Sequence, residues 1–260
     1  MKNRTAIVGY SETPASRGKI DRGELRLTGE ENTAWASEMA LERAGLKKED
    51  MDGQGLGVAG SLWPHAAIWS AEVAQNLGIA PKVLIRADQG GAGGAALLTQ
   101  ATYAINSGAV DLVLCVCGDS PLLPAPPGAV RTWRYENDYM LPFGMMGPNS
   151  IFAFILRRHM HQYGTKPEHT GKVSITQRKH AALNPNAYLK KPLTMEEYLS
   201  SKMIADPIRL LDCCITINGG AAFIVASEEK AKTLDVDPVY LLGFGEKDNY
   251  NRGSVNQPDM

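Results

Sequence analysis

The residues best suited to chemistry lie in a glycine-rich stretch between two apolar segments. This stretch contains four glycines, at positions Gly90, Gly91, Gly93 and Gly94. A short apolar run at 83–87 precedes it, as a buried strand would, and an Ala- and Leu-rich segment at 95–105 follows it, as a helix would. Backbone N–H groups at such a strand-to-helix turn are able to hold an oxygen atom on which negative charge develops. The other interpretation is that the glycines only let the helix pack closely against the sheet.

The elements that must position this turn alternate between strands and helices over the first 119 residues. Strands are predicted at 5–9, 52–60, 83–87 and 111–118. Helices are predicted at 33–44, 68–77 and 95–105, and Asn32 or Thr33 is the expected N-cap of the first helix. Alternation at this spacing implies right-handed crossovers and a mostly parallel sheet with helices on both faces. The predicted fold class is therefore α/β.

Residues 120–205 differ in composition from the segments around them. Four prolines between positions 121 and 127, followed by alternating aromatic and charged residues, indicate a loop excursion. Helices are predicted at 150–163, 171–183 and 194–200. The chain then returns to a strand at 221–226, a short helix at 228–234 and a last strand at 239–244. This pattern predicts a mainly helical insertion within an α/β core.

The glycine turn resembles the corresponding turn in the sterol-carrier-protein-x and lipid-transfer-protein branch of the thiolase superfamily. In that branch the turn reads Cys-x-x-Gly-x-x-Ala-Leu, and its last three fixed positions fall here on Gly93, Ala96 and Leu97. The position of the nucleophilic cysteine then falls on Gly90, with an alternative frame at Gly91. Further stretches resemble the branch in the same order along the chain, at 105–111, 146–148, 203–214 and 218–222.

The resemblance implies a thiolase-like layered fold with a mixed, mostly parallel sheet. The N-terminal half would be complete and the C-terminal half largely missing. The N-terminal core would comprise residues 1–119 and 206–235, a loop domain would be inserted at 120–205, and residues 236–260 would begin the C-terminal half. The predicted strand at 239–244 would then have no sheet to join, and an unpaired strand edge is a liability. We therefore expect the chain to be a fragment of a longer protein.

The resemblance also implies a function. Thiolase-like proteins act on CoA thioesters, and those without the cysteine are associated with aldol-type cleavage or condensation of a C–C bond, which needs no covalent intermediate. The alternatives are an acyltransferase similar to acetyl-CoA acetyltransferase, and a non-catalytic scaffold subunit of a thiolase-like complex. The residues expected to bind the thioester are Gly90, Gly91, Gly93, Met146 and Gly147. The resemblance further implies a homodimer and a partner protein with an OB-fold and a zinc ribbon.

The composition narrows the range of partners and compartments. The chain has 27 Lys and Arg residues against 28 Asp and Glu residues, a net charge of −1. This balance argues against nucleic acid or an anionic membrane as the main partner. No apolar run approaches the roughly 20 residues that cross a bilayer, and the N-terminus has no secretory signal pattern. We expect a cytoplasmic protein.

The histidines and cysteines predict neither a metal site nor a covalently bound cofactor. His159 and His161 lie two residues apart on a predicted helix, where their side chains point to different sides. Cys115 and Cys117 lack Cys-x-x-Cys spacing and are expected to be buried free thiols. Cys213 and Cys214 lie in a stretch that resembles the thiolase-like branch, which implies that they are not the nucleophile.

Three further features are weaker candidates. Gly118-Asp119-Ser120 superficially resembles a hydrolase serine motif, but it lacks the flanking glycine of a nucleophile elbow and a partner base. Tyr135 and Tyr139 are acid–base candidates by residue type, although exposed aromatic residues are the simpler interpretation. Asn218 stands where the thiolase-like branch usually has an Asp.

Overall fold

The computed structural model describes residues 4–19, 23–59, 68–123, 139, 141–145 and 147–246. The chain divides into two compact units. The first unit comprises Met1–Val130 and Thr216–Glu246, and the second comprises Arg131–Ile215 and Lys247–Met260. In chain order the elements are β1 (Thr5–Glu12), α1 (Gly29–Arg43), β2 (Gly55–Ala59), α2 (Trp69–Leu77), β3 (Val83–Ala87), α3 (Gly93–Asn106), β4 (Leu112–Asp119), α4 (Gly147–Tyr163), α5 (Pro167–Ala181), α6 (Met195–Leu199), β5 (Met203–Ala205), β6 (Ile208–Arg209), β7 (Gly219–Ser227), α7 (Glu228–Ala231) and β8 (Val239–Tyr240).

The first unit is built on a six-stranded sheet in the order β3-β2-β4-β7-β1-β8. Strand β2 pairs in parallel with both β3 and β4, whereas β7 is antiparallel to β4 and β1. Four of the six strands therefore run in one direction, which confirms the predicted mixed and mostly parallel sheet. Apolar cores cover both faces of the sheet: Leu114 lies in the core that contains α1, and Cys115 lies in the core that contains α3.

Helix α1 begins earlier than predicted, and its predicted N-cap is wrong. The N-cap is Thr28, whose side chain accepts a hydrogen bond from the Glu31 N–H at 3.1 Å while the Glu31 carboxylate accepts from the Thr28 N–H at 2.8 Å. This reciprocal capping box satisfies two backbone N–H groups at the helix start. Asn32 and Thr33 are instead buried inside the first turns. Thr33 uses its hydroxyl to bond the Gly29 carbonyl at 2.7 Å.

The expectation that the strand at 239–244 has no sheet to join is also wrong. Its first two residues form β8, which pairs antiparallel with β1 through Ala6↔Tyr240 and Ile7↔Val239. The Leu241 N–H extends this pairing with a 2.9 Å bond to the Thr5 carbonyl. Strand β8 therefore covers the edge of β1 that β7 leaves open. The assignment of residues 236–260 to a second half of the fold stays a prediction.

The second unit contains α4, α5 and α6 and a two-stranded antiparallel sheet, β5 with β6, that the sequence pattern did not predict. Helix α5 begins at Pro167, four residues before the predicted start, because proline suits the first position of a helix. The unit is organised around Tyr198, which is fully buried. The Tyr198 hydroxyl donates to Asp212 Oδ1 at 2.7 Å and lies 2.8 Å from Thr170 Oγ1. The pKa of Tyr198 is raised to about 12, mainly because the side chain is buried and also because the Asp212 carboxylate is nearby.

Among the described residues, no helix combines the length and apolar character needed to cross a bilayer.

Candidate active site

The glycine turn links β3 to α3 as the sequence predicted. Strand β3 ends at Ala87, a single 3₁₀ turn spans Gly90–Ala92, and α3 begins at Gly93. The turn is closed by the Ala92 N–H, which donates to the Gln89 carbonyl at 3.1 Å, and by the Gly93 N–H, which donates to the Gly90 carbonyl. Gly90 has a φ of +53°, in the left-handed region that disfavours every residue with a Cβ.

The space around the turn separates the two interpretations of its glycines. A Cβ atom built on Gly90, Gly91 or Gly94 would meet nothing within 4 Å. At Gly93 it would lie 3.4 Å from the Ala59 Cβ, an ordinary contact. Close packing of the helix against the sheet therefore does not account for three of the four glycines. The backbone at Gly90, Gly91 and Gly94 therefore borders open space.

The residue before the turn is held by a carboxylate from the far end of the described chain. Gln89 Nε2 donates to Glu246 Oε1 at 2.5 Å. Asp88, next to it, lies instead 4.0 Å from the Arg86 guanidinium. The contact with Glu246 joins residues 157 positions apart, and nothing in the local sequence pattern marks Glu246.

Cys117 lies at the end of β4 on the face of the sheet that α3 covers. Cys115, two residues earlier on the same face, belongs to the core beneath α3, whereas Cys117 lies past that core and is exposed. The prediction of buried thiols is confirmed for Cys115 and is wrong for Cys117. The pKa of Cys117 is raised, mainly because the thiol is partly desolvated and also because the Asp119 carboxylate is nearby. This environment favours the thiol over the nucleophilic thiolate.

The serine of the Gly118-Asp119-Ser120 sequence is engaged in the structure. Ser120 Oγ donates to the Leu27 carbonyl at 2.7 Å and accepts from Asn32 Nδ2 at 3.2 Å. Both bonds fix the start of α1 to the end of β4. This serine therefore performs a structural role in the first unit.

Asn218 is the residue that departs from the expected Asp. It is buried, and its Oδ1 accepts a hydrogen bond from the Leu122 N–H at 3.0 Å. Among the described residues, its Nδ2 is the buried side-chain nitrogen that has no partner. An Asp in this place would accept the same bond and would carry no N–H to leave unpaired.

The remaining predicted site residues belong to the second unit or lie outside the described residues. Gly147 is the first residue of α4 in the second unit, and Met146 lies outside the described residues, as does Tyr135. Tyr139 is 70% exposed. The role of Met146 and Gly147 in an acyl pocket stays a prediction.

Two histidines of α4, His159 and His161, are of a residue type that binds metal ions. His159 Nδ1 lies 2.9 Å from Thr165 Oγ1, and its ring packs against Tyr163. In the described ranges, no group of three or more His, Cys, Asp and Glu side chains is placed to hold a metal ion.

Comparison with known proteins gives relatives along nearly the whole chain. The chain is 32% identical over 264 residues to the steroid side-chain-cleaving aldolase of Thermomonospora curvata, covering 97% of this chain and 64% of that protein. It is 32% identical over 273 residues to the 17-hydroxy-3-oxo-4-pregnene-20-carboxyl-CoA lyase of Mycobacterium tuberculosis, covering 100% of this chain and 68% of that protein. No family model matches the chain.

A solved structure, that of the Ltp2-ChsH2(DUF35) aldolase, is similar in fold with a TM-score of 0.83 and 28% sequence identity. The superposition covers 99% of this chain and 64% of that one. The present chain thus spans about two thirds of the length of the proteins it matches.

Proposed function

We propose, since this chain belongs to the sterol-carrier-protein-x and lipid-transfer-protein branch of the thiolase superfamily, that the protein cleaves or forms a C–C bond of a CoA thioester by aldol chemistry. The observation that carries the proposal is the turn at Gly90, which leads into α3, borders open space and bears no side chain that could hold an acyl group. Two relatives that match the chain are named an aldolase and a CoA lyase.

The chemistry that this turn favours needs backbone donors and no thiolate. In the cleavage direction a general base takes the proton of a hydroxyl group on the carbon β to the thioester carbonyl. The hydroxyl oxygen becomes a carbonyl, the bond between the α and β carbons breaks, and the electron pair moves onto the thioester oxygen as an enolate. Protonation of the α carbon then gives the shorter acyl-CoA. A backbone N–H of the turn, such as that of Gly91, would donate to the enolate oxygen and stabilise its charge.

The acyltransferase alternative requires a group that carries the acyl chain. Glycine offers none, and the pKa of Cys117, at the end of β4, is raised. A thiol with a raised pKa is a poor acyl acceptor near neutral pH, because the thiolate is the reactive species. The described residues therefore favour the aldol reaction over acyl transfer.

The assignment of the nucleophile position to Gly90 is tested by placing a cysteine there. We expect a Gly90→Cys variant to be acylated by an acyl-CoA, with a mass increase of one acyl group, because its thiol would enter the open space of the turn. The matched control is Gly91→Cys, which has equal room but a different direction. Acylation of the control variant alone would move the cysteine position to the alternative frame.

The substrate class is tested by titration calorimetry with acyl-CoA ligands of different chain lengths. We expect at least one acyl-CoA to bind measurably. The corresponding free acid, which lacks the thioester, should not bind. A protein that binds no acyl-CoA at all would contradict the proposal. We also propose that Met146 and Gly147 line the acyl pocket. A Gly147→Val variant should then weaken the binding of long-chain acyl-CoA more than the binding of acetyl-CoA.

We further propose that the active assembly is a homodimer and contains a DUF35-type partner with an OB-fold and a zinc ribbon. The structurally similar aldolase is named with a DUF35 component. Co-expression of the gene with a neighbouring DUF35 gene should give a co-eluting complex that is more active than the chain alone. Co-elution without a gain in activity would instead favour the scaffold alternative.

We propose, finally, that residues 236–260 begin the second half of the thiolase-like fold. The intact mass of the protein expressed from its natural gene should then be clearly above 28.1 kDa, the mass of this chain. A mass of 28.1 kDa would mean that a second chain must supply the remaining half.

A further inference from the structure

We infer that Glu246 is a positioning residue for the glycine turn: its carboxylate holds the Gln89 side chain and thereby fixes the backbone donors that follow. The inference rests on the proposed function, which gives these donors their role. It assigns to Glu246 no contact with substrate.

Gln89 is held at two points, and both act on the turn. Its Nε2 donates to Glu246 Oε1 at 2.5 Å, and its carbonyl accepts the 3.1 Å bond from the Ala92 N–H that closes the turn. The next residue, Gly90, takes the left-handed conformation that aims the turn. A rotation of Gln89 about its backbone would therefore move the Gly91 N–H relative to the sheet.

Glu246 can act as a fixed point because the segment that carries it is attached at β8, Leu241 and Phe244. The segment starts at β8, which is paired with β1, and the Leu241 N–H bonds the Thr5 carbonyl at 2.9 Å. Leu241 also lines a small cleft together with Leu98 of α3. Further on, the Phe244 ring packs edge-on against Tyr103 of α3, with ring centroids 5.3 Å apart. The segment thus runs over α3 and ends at the turn.

The chemistry of the contact distinguishes a positioning role from a direct catalytic one. Glu246 serves Gln89 purely as a hydrogen-bond acceptor. A glutamine side chain in its place carries a carbonyl oxygen of the same reach and would accept the same bond, but it cannot take up a proton as a base. An alanine would remove both abilities.

The test compares Glu246→Gln with Glu246→Ala in the protein expressed from its full gene, with Glu229→Ala as the matched control. Glu229 is an exposed carboxylate of the same unit, in α7. We expect Glu246→Ala to lower kcat for cleavage of a β-hydroxyacyl-CoA and to change KM little. The expected fall in kcat is about tenfold, which corresponds to the loss of one hydrogen bond. Glu246→Gln and Glu229→Ala should both stay within about twofold of the unaltered protein.

A second readout is independent of turnover. The amides of Ala92 and Gly93 close the turn, so their hydrogen-exchange rates report its order. Exchange at these two amides should rise in Glu246→Ala and in Gln89→Ala, and the double variant should be no faster than either single one. Rates unchanged in Glu246→Ala would overturn the inference.

The kinetic outcomes separate this inference from the proposed function. A Glu246→Gln variant as impaired as Glu246→Ala would show that the charge itself is needed, which contradicts a positioning role. If the unaltered protein cleaves no β-hydroxyacyl-CoA, the proposed function fails, while the exchange rates still decide whether Glu246 orders the turn.

Discussion

Replacing each of the two adjacent glycines of the turn by alanine should have opposite effects on stability. Gly90 has a φ of +53°, and an alanine in the left-handed region costs about 1–2 kcal/mol. Gly91 has no positive φ, and a Cβ there would meet nothing within 4 Å. An alanine at a compatible position stabilises by about 0.4–1 kcal/mol, because it restricts the unfolded chain. The two variants should therefore differ by about 2 kcal/mol in the free energy of unfolding.

The assay is urea unfolding followed by far-ultraviolet circular dichroism, with the unaltered protein as reference. The midpoint should fall for Gly90→Ala and rise slightly for Gly91→Ala, at an unchanged slope with denaturant concentration. Neither variant removes a backbone N–H, so both should still bind an acyl-CoA in calorimetry. Binding lost only in Gly90→Ala would show that the left-handed conformation, and not the donors alone, shapes the site.

Equal midpoints for the two variants would refute this reasoning. A fall for Gly91→Ala with no change for Gly90→Ala would place the left-handed residue at Gly91. The chain would then turn one residue later than the structure shows, in the alternative frame of the predicted cysteine position.

Three further predictions concern the frame around the site. Gly118→Ala would place a Cβ 2.6 Å from a backbone carbonyl oxygen at the start of α1 and should cost about 1–3 kcal/mol in urea unfolding, whereas the control Gly243→Ala, with nothing within 4 Å, should be nearly neutral. The pKa of Tyr198 is raised from 10.0 to about 12, so the stability that its neutral hydroxyl contributes is present below pH 10 and is lost as the pH rises to about 12. A Tyr198→Phe variant should therefore lose less stability over this pH range than the unaltered protein. The same pH dependence in both proteins would contradict the role of Tyr198. Cys115 should resist alkylation in the folded protein, because it is buried and burial raises its pKa. The exposed Cys117 should react slowly at neutral pH and faster at higher pH, because its pKa is also raised. Rapid labelling of Cys115 would contradict its burial.

The sequence predicted the turn well because local signals define it. The apolar run of β3 spans the predicted residues, and the helix that follows begins at Gly93 and ends just before Ser107. Glycines mark element ends here, as at Gly78, which closes α2 in the left-handed conformation. Boundaries that depend on caps were predicted less well: the capping box at Thr28 lies in a polar stretch without apolar periodicity.

Features that depend on contacts distant in sequence could not be predicted. The edge of β1 is covered by β8, more than 200 residues later, and no local pattern indicates which sheet a two-residue strand will join. The contact between Gln89 and Glu246 has the same character, since an exposed Glu near a glycine is common in any sequence. The turn could therefore be located from the sequence, while the group that holds it in place required the structure.

In the proposed aldol reaction the protein breaks a C–C bond of a CoA thioester without carrying the acyl group itself. The most direct measurement uses the protein expressed from its full gene together with the proposed DUF35-type partner. It is incubated with a β-hydroxyacyl-CoA, and both the small molecules and the protein are then analysed by mass spectrometry. Aldol cleavage predicts a ketone or aldehyde and a shorter acyl-CoA in equal amounts, with the protein mass unchanged. An acyl adduct on the protein, or acyl transfer to a second CoA without a carbonyl product, would contradict it.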